Sequence, residues 1–324
     1  MFNTIWAVDA FHTNPKVQLR ALRAAEAMAG KKPLQVTPVS VLPWGRYHAE
    51  SFQFLNKWHD LASLADARVL KLLKTEKSAY LKPHRLLSQE KSSLSQSVTS
   101  LIHFALSEKA DLIVTSTHGR SGPASLVLGS FSESLVYQSP IPVLLVNPKA
   151  SALKRIKSIL FATDFSDASH AAYKKVVQLA QQMEAEVVLF HKLQFPTVEG
   201  LPPLLFSTTP SELRENMQAT GQKWIKWGEQ QGVKMKLQIN TGKADRLKEL
   251  QKVSKKLGNS AVVAMAAQSG ALESNLLGSL TQKVVRSISC PVLVIRSEQE
   301  TLIKKFLSEV TRLGYAYTAQ PLIR

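Results

Sequence analysis

The chain has 324 residues, of which 44% are hydrophobic and 20% are charged, and its formal net charge is +17. This composition excludes a disordered chain, and a single cysteine excludes a framework of internal disulfides. The length predicts about two globular domains. No apolar run approaches the roughly 20 residues that span a bilayer, so we expect no membrane association.

The basic residues are spread over both halves of the chain. A nucleic-acid-binding surface more often shows a dense basic stripe with aromatic residues between the charges, so we do not expect nucleic acid as a partner. Weak, salt-dependent binding to nucleic acid stays an alternative. The single cysteine, and residues 2–8 that are typical of a core strand and not of a signal peptide, favour a cytoplasmic protein.

The first half of the chain alternates between short apolar strands and helices. Strands are predicted near residues 4–8, 34–42, 80–87, 111–115 and 143–146, and helices over 15–29, 50–77, 95–107 and 130–138.

The second half repeats this plan. Strands are predicted near residues 158–162, 186–191, 234–240, 261–264 and 292–295, and a proline-rich loop over 193–211. An amphipathic helix is predicted over 298–313. These patterns divide the chain into a first domain over 1–148, a second domain over 155–297, and a C-terminal helix and tail over 298–324.

An internal repeat supports this division. Residues 128–146 and 277–295 both begin Leu-Gly-Ser and end in an apolar strand after Pro-Val. The two halves also open alike, with apolar runs that end in Asp9 and Asp164. The repeat unit of about 150 residues is a domain and not a solenoid module. Short apolar strands separated by helices predict a doubly wound α/β fold, in which a five-stranded parallel sheet is covered on both faces in each domain.

One glycine-bearing segment of the first domain is suited to phosphate binding. Gly119 follows the fourth strand, and nine residues separate it from Gly129 and Ser130, which open the next helix. A polyphosphate needs convergent backbone N–H groups and close backbone approach, which a Cβ obstructs. Arg120 adds a cation. The same glycines are also compatible with turns and caps that bind nothing.

The order, spacing and duplication of these motifs resemble the universal stress protein family, whose fold is of the adenine nucleotide alpha hydrolase type. The resemblance implies a regulatory protein that binds ATP or a related adenine nucleotide in its first domain, with or without magnesium. Ser116 stands where the family has its first glycine. The implied nucleotide-binding residues are Asp9, Val41, Thr115, Ser116, Gly119, Arg120, Gly129, Ser130 and Phe131.

The second domain departs from this pattern. Counting back from Gly278, the two earlier glycine positions of the motif hold Met265 and Gln268, whose long side chains would fill the phosphate space. Asp164 remains, either as a ligand residue or as a cap of its loop. We therefore expect no nucleotide in the second domain.

Several alternatives stay open at this point. One alternative is a nucleotide-independent interaction scaffold, in which both sites are lost. Another is a slow ATPase, which ranks lower because the sequence places no general base or metal-binding carboxylate at the site apart from Asp9, and we assign no catalytic residue. His118 and Cys290 are interpreted as structural. The last strands of the two domains, 142–146 and 291–295, are expected to pair within one chain, and a homodimer is also possible.

Overall fold

The structure is a computed structural model, and it describes residues 1–11, 14–43, 54–74, 76, 79–89, 93–117, 130–193, 209–241, 244–267, 279–297, 301, 303, 304 and 308. Its strands are β1 (Phe2–Ala7), β2 (Leu34–Pro43), β3 (Arg85–Gln89), β4 (Leu112–Ser116), β5 (Val143–Val146), β6 (Ser158–Ala162), β7 (Glu186–Lys192), β8 (Met235–Asn240), β9 (Ala261–Ala267) and β10 (Val292–Arg296). Its helices are α1 (Pro15–Ala29), α2 (Phe54–Lys74), α3 (Leu94–Ser107), α4 (Ser130–Gln138), α5 (Asp167–Met183), α6 (Pro210–Gln230), α7 (Arg246–Leu257) and α8 (Ser279–Ser287).

The strands form one ten-stranded sheet in the order β3-β2-β1-β4-β5-β10-β9-β6-β7-β8. Each half of the sheet is parallel throughout and has the same doubly wound order. The halves join through β5 and β10, which pair antiparallel with Leu144 opposite Leu293. This arrangement leaves neither β5 nor β10 as an open edge.

Two apolar cores cover the two faces of the sheet. Residues of α1, α2, α5 and α6 pack on one face, and residues of α3, α4, α7 and α8 pack on the other. The strands between them read as unbroken apolar runs because both of their faces are buried. Each core contains residues of both halves, so the apolar interior is continuous across the β5–β10 junction.

The end of α1 lies against α5 of the second half. The side-chain amide of Gln182 donates to the carbonyls of Met28 and Ala29 at 3.0 and 2.9 Å, and the amide of Lys31 donates to the Gln182 carbonyl at 3.3 Å. Gly30 ends α1 with φ 58°, and a Cβ there would lie 2.5 Å from the Gln182 carbonyl oxygen. This close approach requires glycine.

A second link between the halves is reciprocal. Asn147, which follows β5, donates from its side chain to the carbonyls of Val285 and Ile288 at 2.9 and 2.7 Å, near the end of α8. Arg296, at the equivalent position of β10, donates to the carbonyl of Tyr137 near the end of α4. At these two equivalent positions, the side chain therefore holds a helix of the other half.

Most predicted elements agree with the structure within one to three residues. The largest difference is the third strand, which was predicted over 80–87 and lies at Arg85–Gln89. Tyr80 and Leu81 form only an isolated bridge to Val36, followed by Lys82-Pro83. Proline lacks the N–H that a continuous ladder would need there.

The C-terminal helix predicted over 298–313 lies mostly outside the described residues. Its described members Thr301, Ile303, Lys304 and Ser308 are helical. None of the helices in the described part of the chain has the length and apolar character to cross a membrane. The domain limits at 1–148 and 155–297 stay a prediction.

Candidate functional site

The predicted nucleotide site lies at the carboxyl edge of the first half-sheet. The strand order reverses between β1 and β4, because β2 and β3 extend to one side and β4 and β5 to the other. Asp9 follows β1, Ser116 ends β4, and Val41 lies near the end of β2 on the other flank of β1. The structure thus brings these three predicted residues to one edge, at the position where open α/β sheets bind ligands.

Asp9 caps the loop that follows β1. Its Oδ1 accepts from the backbone N–H of Phe11 at 2.9 Å, and its carbonyl accepts from the side chain of Gln18 at 3.4 Å. The side chain of Asp9 is half-buried. The capping interpretation therefore holds for one carboxylate oxygen, and the contacts fix the loop that carries Asp9.

The two predicted residues at the end of β4 differ in how their hydroxyls are used. Thr115 is buried, and its hydroxyl lies 3.5 Å from the Ala7 carbonyl and 3.4 Å from the Ser116 carbonyl, so it points to backbone. Ser116 is 1% exposed, and its hydroxyl has no hydrogen-bond partner within the described part of the chain. A buried hydroxyl without a partner costs about 1–3 kcal/mol, so Ser116 needs an explanation.

The remaining predicted residues lie on both sides of a gap in the described chain. Ser130 begins α4 and is exposed, while Phe131 is half-buried and packs against the core under α3 and α4. Gly119, Arg120 and Gly129, like His118, fall outside the described residues.

A buried polar relay beside this edge was missed by sequence reasoning. The hydroxyl of Ser40 donates to the Val8 carbonyl at 2.9 Å, and the His84 ring lies between Ser40 (3.0 Å) and Asp66 (2.8 Å). Burial lowers the pKa of His84, and the neighbouring Asp66 carboxylate opposes this shift. These hydrogen bonds tie α2 to β1 and β2. Because Ser40 is 1% exposed, its hydroxyl is not accessible as a nucleophile.

The only sequence signal for that relay was Ser40, a polar residue inside the second strand. His84 and Asp66 are distant from it in the chain, so their spacing carried no information.

The equivalent edge of the second half lies between β6 and β9, where the strand order reverses again. The register there corrects one prediction. Ala7 pairs with Thr115, whereas its counterpart Ala162 pairs with Met265. Ala266, and not Met265, therefore occupies the position of Ser116, because 11 residues separate Ala266 from Gly278 whereas 12 residues separate Ser116 from Gly129.

Asp164 in the second half acts as a cap. Its Oδ1 accepts from the backbone N–H of Ser166 at 3.0 Å and from the hydroxyl of Ser169 at 2.5 Å, at the start of α5. Gln268 and Gly278 lie outside the described residues.

Cys290 is buried, and burial raises the pKa of its thiol to about 12. These properties support the structural interpretation of this cysteine. Within the described residues, no group of three or more His, Cys, Asp or Glu side chains is arranged to hold a metal ion.

Comparison with known proteins finds universal stress proteins that are similar to one half or to both halves of this chain. A universal stress protein of Methanocaldococcus jannaschii is 32% identical over 146 residues, which cover 44% of this chain and 84% of that protein. The crystal structure of a universal stress protein from Archaeoglobus fulgidus DSM 4304 aligns over 90% of this chain and 96% of its own, with 16% identity and a TM-score of 0.60. A universal stress protein from Archaeoglobus fulgidus in complex with dAMP covers 43% of this chain and 97% of its own, with 14% identity and a TM-score of 0.33.

The model of the universal stress protein family matches twice, over residues 1–147 and 155–296. The two matches contain the two half-sheets and both carboxyl edges described above. The chain therefore belongs to the universal stress protein family and contains two copies of its domain.

Proposed function

We propose that this chain binds ATP or a related adenine nucleotide at the carboxyl edge of its first half-sheet and acts as a regulatory binding protein in a stress response. The observation that carries the proposal is the hydroxyl of Ser116, which is buried where the strand order reverses and has no hydrogen-bond partner among the residues that the structure describes. A ligand oxygen at this edge would supply the missing hydrogen bond.

The neighbouring residues fit an adenine nucleotide. The carboxylate of Asp9 is an acceptor for ribose hydroxyls, and the half-buried Val41 offers an apolar contact for the base. Ser130 opens α4, whose N-terminal N–H groups favour a phosphate. Gly119, Arg120 and Gly129 are proposed to complete the phosphate site. Binding then biases the packing of the first domain or its choice of partner. Cytoplasmic location and homodimer formation stay predictions.

The test is calorimetric titration of ATP, with and without magnesium, into the wild-type chain and two variants. Gly129→Glu places a bulky negative side chain in the proposed phosphate site. Gly278→Glu makes the same change at the equivalent position of the second domain and serves as the matched control. We expect one site per chain, lost in Gly129→Glu and kept in Gly278→Glu.

Each other outcome has a definite meaning. Absence of binding in the wild type would overturn the proposal and leave a nucleotide-independent scaffold. Loss in Gly278→Glu alone would place the nucleotide in the second domain. Phosphate release from ATP that stops in Asp9→Ala would show a slow ATPase and contradict a purely regulatory role.

A further variant tests whether the buried hydroxyl of Ser116 takes part in nucleotide binding. Ser116→Ala removes a hydroxyl that has no partner in the described part of the chain, so the unliganded protein should gain up to about 1–3 kcal/mol in free energy of unfolding while its ATP affinity falls. An alanine variant that loses stability without ligand would mean that the hydroxyl has a structural partner.

A further inference from the structure

A cavity of about 270 Å³ opens at the carboxyl edge of the second half-sheet. It is bounded by the ends of β6, β7, β9 and β10 and by the first turns of α7 and α8. This is the reversal point of the second domain, where open α/β sheets bind ligands. Its volume lies near the lower end of the range for small-molecule sites, roughly 300–1,000 Å³, so the cavity suits a compact ligand.

Cationic side chains dominate the described lining of this cavity. Lys192, Arg246 and Arg296 line it, and the one carboxylate among the described lining residues belongs to Asp164. That carboxylate already accepts hydrogen bonds at the start of α5, including one from Ser169. Three cations and one engaged carboxylate give the described wall a positive charge, which favours an anion.

Two of these cations are built into the wall. Lys192 is 3% exposed, and its Nζ donates to the Leu193 carbonyl at 3.1 Å. Arg296 is 8% exposed, donates to the Tyr137 carbonyl, and lies 5.4 Å from the centre of the Tyr137 ring. Surface lysines and arginines lose rotamer freedom when they bind, whereas these side chains are already ordered by their surroundings.

The strand register shows how this edge differs from that of the first domain. Lys192 occupies the position of Val41, because each lies two residues beyond the strand partner of Ala162 or Ala7. A buried cation thus replaces the apolar residue that we assign to the adenine ring. The edge of the second domain is therefore unsuited to an uncharged base and suited to an anionic group.

Two further residues that line the cavity, His191 and Thr281, can contact other parts of an anionic ligand. The His191 ring donates from Nδ1 to the Thr163 carbonyl at 2.7 Å, and burial lowers the pKa of His191. The neutral ring then presents Nε2 as an acceptor for a hydroxyl. Thr281 lines the cavity from the first turn of α8, where the helix N-terminus also favours an anion.

We propose that the second domain binds a compact phosphomonoester of the size of a sugar phosphate, with its phosphoryl group between Lys192, Arg246 and Arg296. Each of these cationic side chains can donate a charge-assisted hydrogen bond to an oxygen of the phosphoryl group, which carries a charge of about −2. The hydroxyls of the sugar face His191. This site is separate from the nucleotide site of the first domain and does not depend on it.

The test is calorimetric titration of the full chain with glucose 6-phosphate, with glucose and succinate as comparison ligands. Lys192→Met removes the buried charge at similar volume, and Arg246→Gln removes a half-buried one. Lys252→Met is the matched control, since it makes the same charge change at an exposed position of α7. The melting temperature of each unliganded variant shows whether it is folded.

We expect glucose 6-phosphate to bind the wild type and Lys252→Met equally, and Lys192→Met and Arg246→Gln about tenfold or more weakly. If Lys192→Met does not fold, the affinity of Arg246→Gln for glucose 6-phosphate tests the proposal. The proposal would be overturned by no binding of glucose 6-phosphate, by equal weakening in Lys252→Met, or by succinate binding as tightly as glucose 6-phosphate. Loss of binding in Gly129→Glu would instead assign the phosphate to the first domain and would equally refute it.

Discussion

Replacing Gly30 with alanine tests whether the contact of α1 with α5 holds the two domains together. Gly30 ends α1 at φ 58° and ψ −118°, and an added Cβ would lie 2.5 Å from the Gln182 carbonyl oxygen and 2.9 Å from the Met183 Cα. Both atoms belong to the backbone of α5, so no side-chain rotation relieves the clash. The end of α1 must move away from α5.

The magnitude has two parts. An L-residue in such a backbone conformation costs about 1–3 kcal/mol, and an overpacked contact costs about 1–3 kcal/mol more. Gly258 is the matched control, because it ends α7 at φ 75° and has nothing within 4 Å of its own Cβ position. Gly258→Ala should therefore lose about 1–3 kcal/mol, and Gly30→Ala about 2–6 kcal/mol.

Urea unfolding followed by circular dichroism measures both losses. Hydrogen exchange of the Lys31 amide gives a local readout, because this amide donates to the Gln182 carbonyl. The Lys31 amide should exchange faster in Gly30→Ala than in the wild type, and its exchange rate should be unchanged in Gly258→Ala. Equal losses of stability in the two variants, with the Lys31 amide equally protected, would refute the reasoning that the domains are in close contact there.

Three further predictions concern buried groups. Asn147→Ala leaves the carbonyls of Val285 and Ile288 without their donor, so the free energy of unfolding in urea should fall by about 1–3 kcal/mol, and an unchanged value would contradict the link between the halves. The buried thiol of Cys290 should resist a thiol reagent at pH 8 in the native protein and react at once in urea; prompt native modification would show that it is accessible. The pKa of His84 is lowered by burial, so the unfolded chain binds the proton first as the pH falls through about 6.5, and stability should decrease from pH 7.5 to 5.5. The decrease should be smaller in His84→Asn, and an equal decrease would remove His84 as a cause.

The outline of the fold could be predicted because its signals are local. α1 and α4 begin and end where the sequence predicted, since Asn14 caps α1, proline follows it, and apolar residues recur at helical spacing. The strands β5 and β6 were also located correctly, because strands buried on both faces are short apolar runs. The third strand was misplaced because Tyr80 and Leu81 are apolar but lie outside the ladder.

Part of the candidate site followed from the same local signals. A residue that ends a parallel strand must lie at the carboxyl edge, so Asp9 and Ser116 could be assigned to one place from the order of the elements. The burial of Ser116 and the use of the Thr115 hydroxyl by backbone were not predictable, because both depend on how β4 packs against its neighbours.

The sequence by itself determined the repeat, the two α/β domains and the family. Each of these depends on residue patterns within single helices, strands and loops, or on the order of these elements along the chain. Only the tertiary structure decided the chemistry of the second edge. Tyr137, Lys192, Arg246 and Arg296 come from four separate elements and meet through the order of the strands and the antiparallel junction of β5 with β10. The strand register also placed Ala266, and not Met265, at the position of the second domain that is equivalent to Ser116. The spacing of residues along the chain could not predict these contacts, because they depend on pairing between strands that are distant in sequence.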